Sequence, residues 1–141
     1  MMSVEHNKEV VRRLIEEVLN EGDLDLVAEL AVRNFVEHSP LPGQGDGVEG
    51  LRQRAEILRD GLDVHVEIED VIGEGDQVVV RWTNSGTHIG TYRGFGSTGN
   101  SFRIAGIEVY WLRDGKLAAH WDLVDRLALF AQLGIVQLPA A

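Results

Sequence analysis

The sequence predicts an α+β domain, with helices first along the chain and antiparallel strands after them. Apolar residues recur at helical spacing up to about residue 60, with charged residues between them. From about residue 64 the apolar residues alternate with polar ones, which is the period of half-buried strands. The pair Asp114-Gly115 is a strong signal for a tight hairpin between two such strands. Helices followed by a run of antiparallel strands are typical of the α+β class.

Composition and charge limit the function classes. The chain has 141 residues, of which 44% are hydrophobic and 26% charged, which suits one globular domain over residues 1–141. The formal net charge of −10 repels phosphate backbones and anionic lipids, so neither nucleic acid nor a membrane is an expected partner. The absence of cysteine excludes disulfides and thiolate chemistry. There is no signal-peptide pattern and no apolar stretch near the about 20 residues of a membrane helix, so we expect a cytoplasmic protein.

Three helices are predicted in the first half of the chain. The first ends at the stop signal Asn20-Glu21-Gly22, and Asp23 can cap a short second helix. Residues 35–38 are predicted as a short strand or an extended bridge, followed by a loop rich in Pro and Gly. The third helix starts at Asp46, which with Glu49 resembles a capping box, and it stops near residue 60.

The second half is predicted as four strands and a closing helix. The first strand, 64–69, alternates Val and Ile with charged residues, and a turn leads to the second at 78–83. A glycine-rich loop precedes a long strand at 102–113, and the hairpin turn returns the chain as a strand over 116–124. A short helix over 125–132 completes the domain.

Six short motifs occur in order along nearly the whole chain. They are Asn20-Glu21-Gly22-Asp23, Phe35-Val36-Glu37-His38-Ser39-Pro40, Ser85-Gly86-Thr87-His88-Ile89-Gly90, Arg113-Asp114-Gly115-Lys116, His120-Trp121-Asp122-Leu123-Val124-Asp125 and Gln132-Leu133-Gly134. Together they resemble the SnoaL-like polyketide cyclases, a family of the nuclear-transport-factor-two-like or ketosteroid-isomerase-like superfamily. The resemblance implies a curved, mixed, mostly antiparallel sheet that wraps around the N-terminal helices to form a cone-shaped cavity. It also implies a homodimer through the outer face of the sheet.

The resemblance implies a catalytic acid/base at Asp122, because characterised cyclases of the family place an Asp there on the last strand. Glu108 stands where some of them place a His, and Leu19 where some carry a pocket Tyr. The related limonene-epoxide-hydrolase pattern needs a second carboxylate two residues after its Arg. Here Thr83 follows Arg81 at that spacing, so that reaction is disfavoured. The residues expected around the substrate are His38, Arg54, Arg81, His88, Glu108, Tyr110 and His120.

Strand alternation sorts the last two strands into two faces. If Asp122 points into the cavity, His120 and Val124 share its face, and the hairpin brings Glu108 and Tyr110 to the same region. The other face is apolar to an extent that a monomer rarely exposes. This pattern predicts a homodimer through that face, and the alternative is a helix that covers it. Its residues are Val109, Trp111, Trp121 and Leu123.

The expected chemistry is proton transfer. A carboxyl group in an apolar pocket is costly to ionise, which suits it to exchange a proton with a carbon next to a carbonyl. A hydrogen-bond donor then stabilises the enolate, and no metal or organic cofactor is required. We therefore expect an enzyme that acts on a hydrophobic, carbonyl-bearing small molecule by polyketide ring closure, isomerisation or hydrolysis. The alternatives are a non-catalytic, dimeric module that binds such a molecule, and a structural role for Asp122 at an exposed or salt-bridged position.

The five histidines predict no metal site, because no two have the i, i+4 spacing of a helical zinc site and no cysteine supplements them. His38 and His88 each lie in one of the six motifs, near the end of a strand. For both, lining of the pocket and structural hydrogen bonding remain open.

Overall fold

The computed structural model describes residues 3–139. Helix α1 (Val4–Arg13) begins at Ser3, whose hydroxyl accepts a hydrogen bond from the His6 N–H at 3.0 Å. It continues without a break into a π-helical segment (Leu14–Asn20). The predicted extent of the first helix is confirmed, but its last part is wider than an α-helix.

Tertiary hydrogen bonds hold the end of the π-helical segment. The Asn20 side chain donates to the Val66 carbonyl at 2.8 Å and accepts from the Val66 N–H at 2.7 Å. Arg59 Nη1 donates to the carbonyl oxygens of Leu19 and Asn20, at 2.7 and 2.8 Å. These bonds satisfy backbone groups that a helix end leaves free. Apolar spacing alone does not distinguish this arrangement from a regular α-helix.

The other elements follow the predicted order. They are a 3₁₀ turn (Leu24–Leu26), α2 (Val27–Leu30), β1 (Ala31–Glu37), α3 (Gly47–Leu62), β2 (His65–Glu74), β3 (Gln77–Thr87), β4 (Ser101–Arg113), β5 (Lys116–Val124) and α4 (Arg126–Gln132). Strands β2 and β3 are longer than predicted, because the backbone hydrogen bonds between them continue to the turn, where Glu74 pairs with Gln77. Asp46 precedes α3, but its side chain makes no capping hydrogen bond. Between residues 3 and 139, no helix combines the length and the apolar character needed to cross a bilayer.

The five strands form one mixed sheet in the order β1-β5-β4-β3-β2. Strand β1 runs parallel to β5, whereas the other three pairs are antiparallel. The register shifts within three of the four ladders, and such irregularities bend strands. Helix α1 and the π-helical segment pack on one face of the sheet, and α3 packs against β1. The predicted class, an α+β fold with a mixed, mostly antiparallel sheet, is confirmed.

The two faces of the sheet differ sharply. On β3, Val78, Val80 and Trp82 point inward and are buried. Gly106 on β4 gives the Trp82 ring room, because a Cβ at this position would lie 2.4 Å from ring atoms. The outer face leaves Leu123 78% exposed. The core, and any enclosed site, therefore lies between the inner face and the helices.

Candidate active site

A cavity lies between the inner face of the sheet and the helices. It has two adjoining chambers of about 50 Å³ each, which share Leu19, Arg54, Leu58 and Glu108. Five ionisable residues reach its wall: Arg54, Glu108, His120, Asp122 and Arg126. Arg54 and Arg126 pair with Asp122, and Glu108 lies opposite it in the sheet. The rest of the wall is mainly apolar and includes Leu14, Ile15, Val18, Leu41, Leu51, Leu62, Val66, Trp82, Tyr92, Ile104, Val124 and Leu129.

Arg54, on the buried side of α3, connects the charged and polar groups of the cavity wall. Its Nη2 donates to Asp122 Oδ2 at 2.5 Å. Its Nη1 donates to the Ser39 carbonyl at 2.9 Å and to Gln44 Oε1 at 3.1 Å, and lies 3.4 Å from Glu37 Oε1. One guanidinium thus joins the helix, the last strand and the loop after β1, as its planar set of donors allows.

The two oxygens of Asp122 have different surroundings. The side chain is 1% exposed, and its backbone N–H donates to Ser39 Oγ at 3.1 Å. Arg54 binds Oδ2, whereas buried Oδ1 has no hydrogen-bond partner among residues 3–139. The Arg126 guanidinium lies 3.5 Å from Oδ1, too far for a good hydrogen bond. The carboxylate is therefore held in place through one oxygen, while the other remains able to accept a proton.

A second set of buried polar side chains, joined by hydrogen bonds, lies beside Asp122. His120 Nδ1 lies 2.6 Å from Glu37 Oε2, and its Nε2 lies 3.1 Å from Glu108 Oε1. The Tyr110 hydroxyl donates to Glu108 Oε2 at 2.9 Å. Strand pairing positions these groups, because Tyr110 lies opposite His120 and Glu108 lies opposite Asp122. Both ring nitrogens of His120 thus face carboxylates.

The contacts among these side chains shift their pKa values. Burial would lower the pKa of His120, but the hydrogen bonds and charges of Glu108 and Glu37 outweigh it and raise the pKa from 6.5 to about 9. Burial would raise the pKa of Glu108 and of Glu37, but the hydrogen bond and charge of His120, with help from Arg54, lower both. Burial, and then the charge of Glu108, raises the pKa of Tyr110 well above 10. At neutral pH, His120 is therefore a cation between two carboxylates.

This arrangement predicts a pH-dependent stability. Protonated His120 stabilises the fold fully below pH 6.5, and its contribution disappears as the pH rises through about 9. At 1.36 kcal/mol per pKa unit, the whole change is about 3 kcal/mol. We expect the free energy of unfolding by urea to fall between pH 6.5 and 9, and to fall much less in His120→Gln. Equal pH slopes in the two proteins would contradict this assignment.

Glu108, His120 and Asp122 also offer potential metal-ligand atoms within 4.8 Å of one another. A metal would need a neutral imidazole nitrogen, but both nitrogens of His120 carry protons directed at carboxylates. Arg54 already compensates the charge of Asp122. The donor set therefore suits an ion-pair network better than a metal centre.

The structure brings five of the predicted site residues together and separates three others. Asp122, Arg54, Glu108, Tyr110 and His120 line the cavity. Arg81, His38 and His88, which were also expected around the substrate, do not line either chamber.

The three displaced residues have separate physical reasons. Arg81 points outward, because its neighbours in the strand point inward, and it pairs with Asp70 at 2.7 Å. His38 follows the last residue of β1 and is exposed, with its ring stacked on Trp121 at 4.1 Å between centroids. His88 is buried but lies outside the chamber walls, and its Nδ1 is 3.0 Å from Thr98 Oγ1. Of the two interpretations of His88, this contact favours structural hydrogen bonding.

Sequence reasoning missed four polar residues of the site. Glu37 at the end of β1, Ser39 in the loop after it and Arg126 at the start of α4 reach Asp122 or its partners. Asn84 lies in the cavity wall. Glu37 and Ser39 lie in one of the six motifs, and Asn84 is the polar residue in the inward series of Val78, Val80 and Trp82 on β3.

Comparison with known proteins identifies relatives over almost the whole chain. The model of the SnoaL-like polyketide cyclase family matches residues 9–133. TsrD from Streptomyces laurentii has 26% identity and a TM-score of 0.87, with 96% of this chain and 100% of that chain covered. A protein of Acidithiobacillus ferrooxidans assigned as a polyketide cyclase has 28% identity and a TM-score of 0.80, with coverages of 94% and 98%. IdmH from Streptomyces antibioticus, with the same assignment, has 28% identity and a TM-score of 0.76, with coverages of 91% and 98%. A comparison with curated proteins finds no match.

Proposed function

Because the chain belongs to the SnoaL-like polyketide cyclase family, we propose that it is a cofactor-free enzyme that acts on a hydrophobic, carbonyl-bearing small molecule. Asp122 is the acid/base group. The observation that carries this proposal is the asymmetry of its carboxylate in the wall of an apolar cavity. Arg54 donates a hydrogen bond to Oδ2, whereas Oδ1 accepts none from residues 3–139. A positioned carboxylate with one free oxygen is what proton abstraction from carbon requires.

The proposed reaction begins at a carbon next to a carbonyl group. Asp122 Oδ1 takes the proton, the C–H bond breaks, and its electron pair becomes an enolate. The guanidinium groups of Arg54 and Arg126 lie beside the carboxylate and can donate hydrogen bonds to the enolate oxygen. The enolate carbon then attacks a second carbonyl of the same molecule, which closes a ring, and Asp122 returns its proton to the new alkoxide. No redox partner is needed.

The test uses a simple carbon acid, so it does not require the natural substrate. The wild-type protein is expected to accelerate the exchange of α-protons of 2-tetralone for deuterium in D₂O, followed by ¹H NMR. The variant Asp122→Asn should lose this acceleration. If the wild-type protein leaves the exchange rate at its buffer value, proton abstraction at this site is refuted.

The second candidate function is a module of the same fold that binds a ligand without converting it. Charge balance in the cavity favours it, since the three carboxylates of Glu37, Glu108 and Asp122 face the three cations of Arg54, Arg126 and protonated His120. A balanced network is stable without doing chemistry. Binding of 2-tetralone by the wild-type protein without any proton exchange would support this alternative.

We also propose that the outer face of the sheet forms a homodimer. Trp111 is 47% exposed, and its ring lies 4.9 Å from that of Trp121, which in turn stacks on His38. Leu123 and the half-buried Val109 extend this apolar surface. Burial of such a surface against a second copy removes it from water.

The expected result of Trp111→Glu is a monomer, because dimerisation would bury an unpaired carboxylate. Light scattering at micromolar concentration measures the mass directly. The control is Ile89→Glu, since Ile89 is also exposed but lies in the loop after β3, where its backbone N–H donates to the Gly61 carbonyl at 2.9 Å. A monomeric wild-type protein under these conditions contradicts the proposal.

A further inference from the structure

The amide of Asn84 is a polar group in the wall of the cavity that the charged network does not involve. Asn84 lies on β3, is only 7% exposed and borders the chamber whose wall also contains Asp122. Its Oδ1 is buried without a hydrogen-bond partner among the described residues. Aliphatic and aromatic side chains line the same chamber, among them Leu62, Val66, Trp82, Tyr92 and Ile104.

An unpartnered amide in an apolar wall destabilises the empty protein. A leucine has a similar size and would remove this cost, because Val80 and Trp82 show that the inward side of β3 packs apolar side chains. The geometry therefore indicates that the amide finds its partner in a molecule bound in the cavity.

Asn84 lies at the other end of the cavity from Asp122. Strand pairing places Val80, Glu108 and Asp122 in one row across the sheet, and Asn84 is four residues further along β3 than Val80. Four strand residues span about 13 Å. The charged residues of the wall gather around Asp122, so the group that meets Asn84 is neutral.

We propose that Asn84 is a specificity residue that hydrogen-bonds a hydroxyl group at the end of the ligand remote from its reacting carbonyl. An amide offers both a donor and an acceptor, and a hydroxyl group pairs with both. The ligand is thus an elongated, largely apolar molecule with a carbonyl at one end and a hydroxyl at the other. The orientation of the ligand rests on the proposed function of Asp122, whereas the hydroxyl contact itself does not.

The test compares two probes that differ only in the remote hydroxyl, 6-hydroxy-2-tetralone and 2-tetralone. Their Kd values are measured by NMR titration in the wild-type protein and in Asn84→Leu. In Asn84→Leu, we expect the Kd of the hydroxylated probe to rise about 5- to 10-fold relative to the Kd of 2-tetralone. In the wild-type protein, the side-chain NH₂ signals of Asn84 shift with the hydroxylated probe and hardly shift with 2-tetralone. Empty Asn84→Leu should also unfold at a higher temperature than the wild-type protein.

The control is Thr83→Val, since Thr83 points to the outer face and donates to Glu69 Oε1 at 2.9 Å. It should leave the Kd ratio unchanged. Asn84→Ala serves as a second variant if Asn84→Leu does not fold, and it should change the ratio in the same direction. An equal ratio in the wild-type protein and the Asn84 variants would overturn the inference, as would failure of both probes to bind the wild-type protein.

The same titration in Asp122→Asn separates this inference from the proposed function. If proton exchange is absent but the Asn84-dependent preference persists, the proposed reaction fails and the specificity residue stands. If exchange depends on Asp122 but the preference does not depend on Asn84, the opposite holds.

Discussion

Asp122→Asn is expected to lower the rate of α-proton exchange by about 10²-fold or more, within the range of a positioned acid/base group. The amide has the same shape as the carboxylate, and its oxygen can still accept a hydrogen bond from Arg54 Nη2. It cannot take a proton from carbon. Affinity for 2-tetralone should therefore change far less than the rate, and NMR measures both quantities on the same sample.

Asp70→Asn is the matched control for this substitution. Asp70 also pairs with an arginine, at 2.7 Å, but it lies exposed on the outer face of the sheet. Its replacement should leave the exchange rate unchanged. A rate for Asp122→Asn within the error of the wild-type rate would assign Asp122 a structural role, as one of the sequence-based alternatives holds.

Arg54→Met is expected to destabilise the protein by about 3–5 kcal/mol, the usual range when one partner of a buried ion pair is removed. Methionine fills a similar volume but leaves the carboxylates of Asp122 and Glu37 without their shared cation. It also leaves the Ser39 carbonyl without its donor. Urea unfolding measures the free energy directly. Arg54→Lys, which keeps the charge but loses the planar fork, should lie between Arg54→Met and the wild-type protein.

Arg52→Met provides the comparison within the same helix. Arg52 also pairs with two acids, Asp25 at 2.6 Å and Glu56 at 3.4 Å, but these contacts are at the surface. Solvent screens such pairs, so we expect almost no loss of stability. Similar losses of unfolding free energy in Arg54→Met and Arg52→Met would show that the buried ion pairs of Arg54 do not stabilise the protein more than surface pairs do.

Local patterns predicted most of the fold. The change of apolar period near residue 64, the Asp114-Gly115 turn and the short helix after the last strand depend on neighbours a few positions apart, and all agree with the structure. Alternation also predicted that Asp122 and His120 share the inner face while Trp111 lies outside. Arg81 was expected around the substrate from the resemblance, and it lies on the outer face because Val80 and Trp82, which flank it, point inward.

The charged site itself depended on contacts that no local pattern contains. Its residues come from four elements, β1, α3, β4 and β5, and lie up to 85 positions apart in the chain: Glu37, Arg54, Glu108, His120 and Asp122. They meet because α3 and the loop after β1 pack over the sheet. Their protonation followed from the same closure, since burial and the paired charges act only once these groups meet. The π-helical segment has the same cause, because Asn20 and Arg59 hold its end through residues far along the chain. Periodicity reports which side of an element is buried, whereas the identity of the group across a cavity is decided by long-range packing.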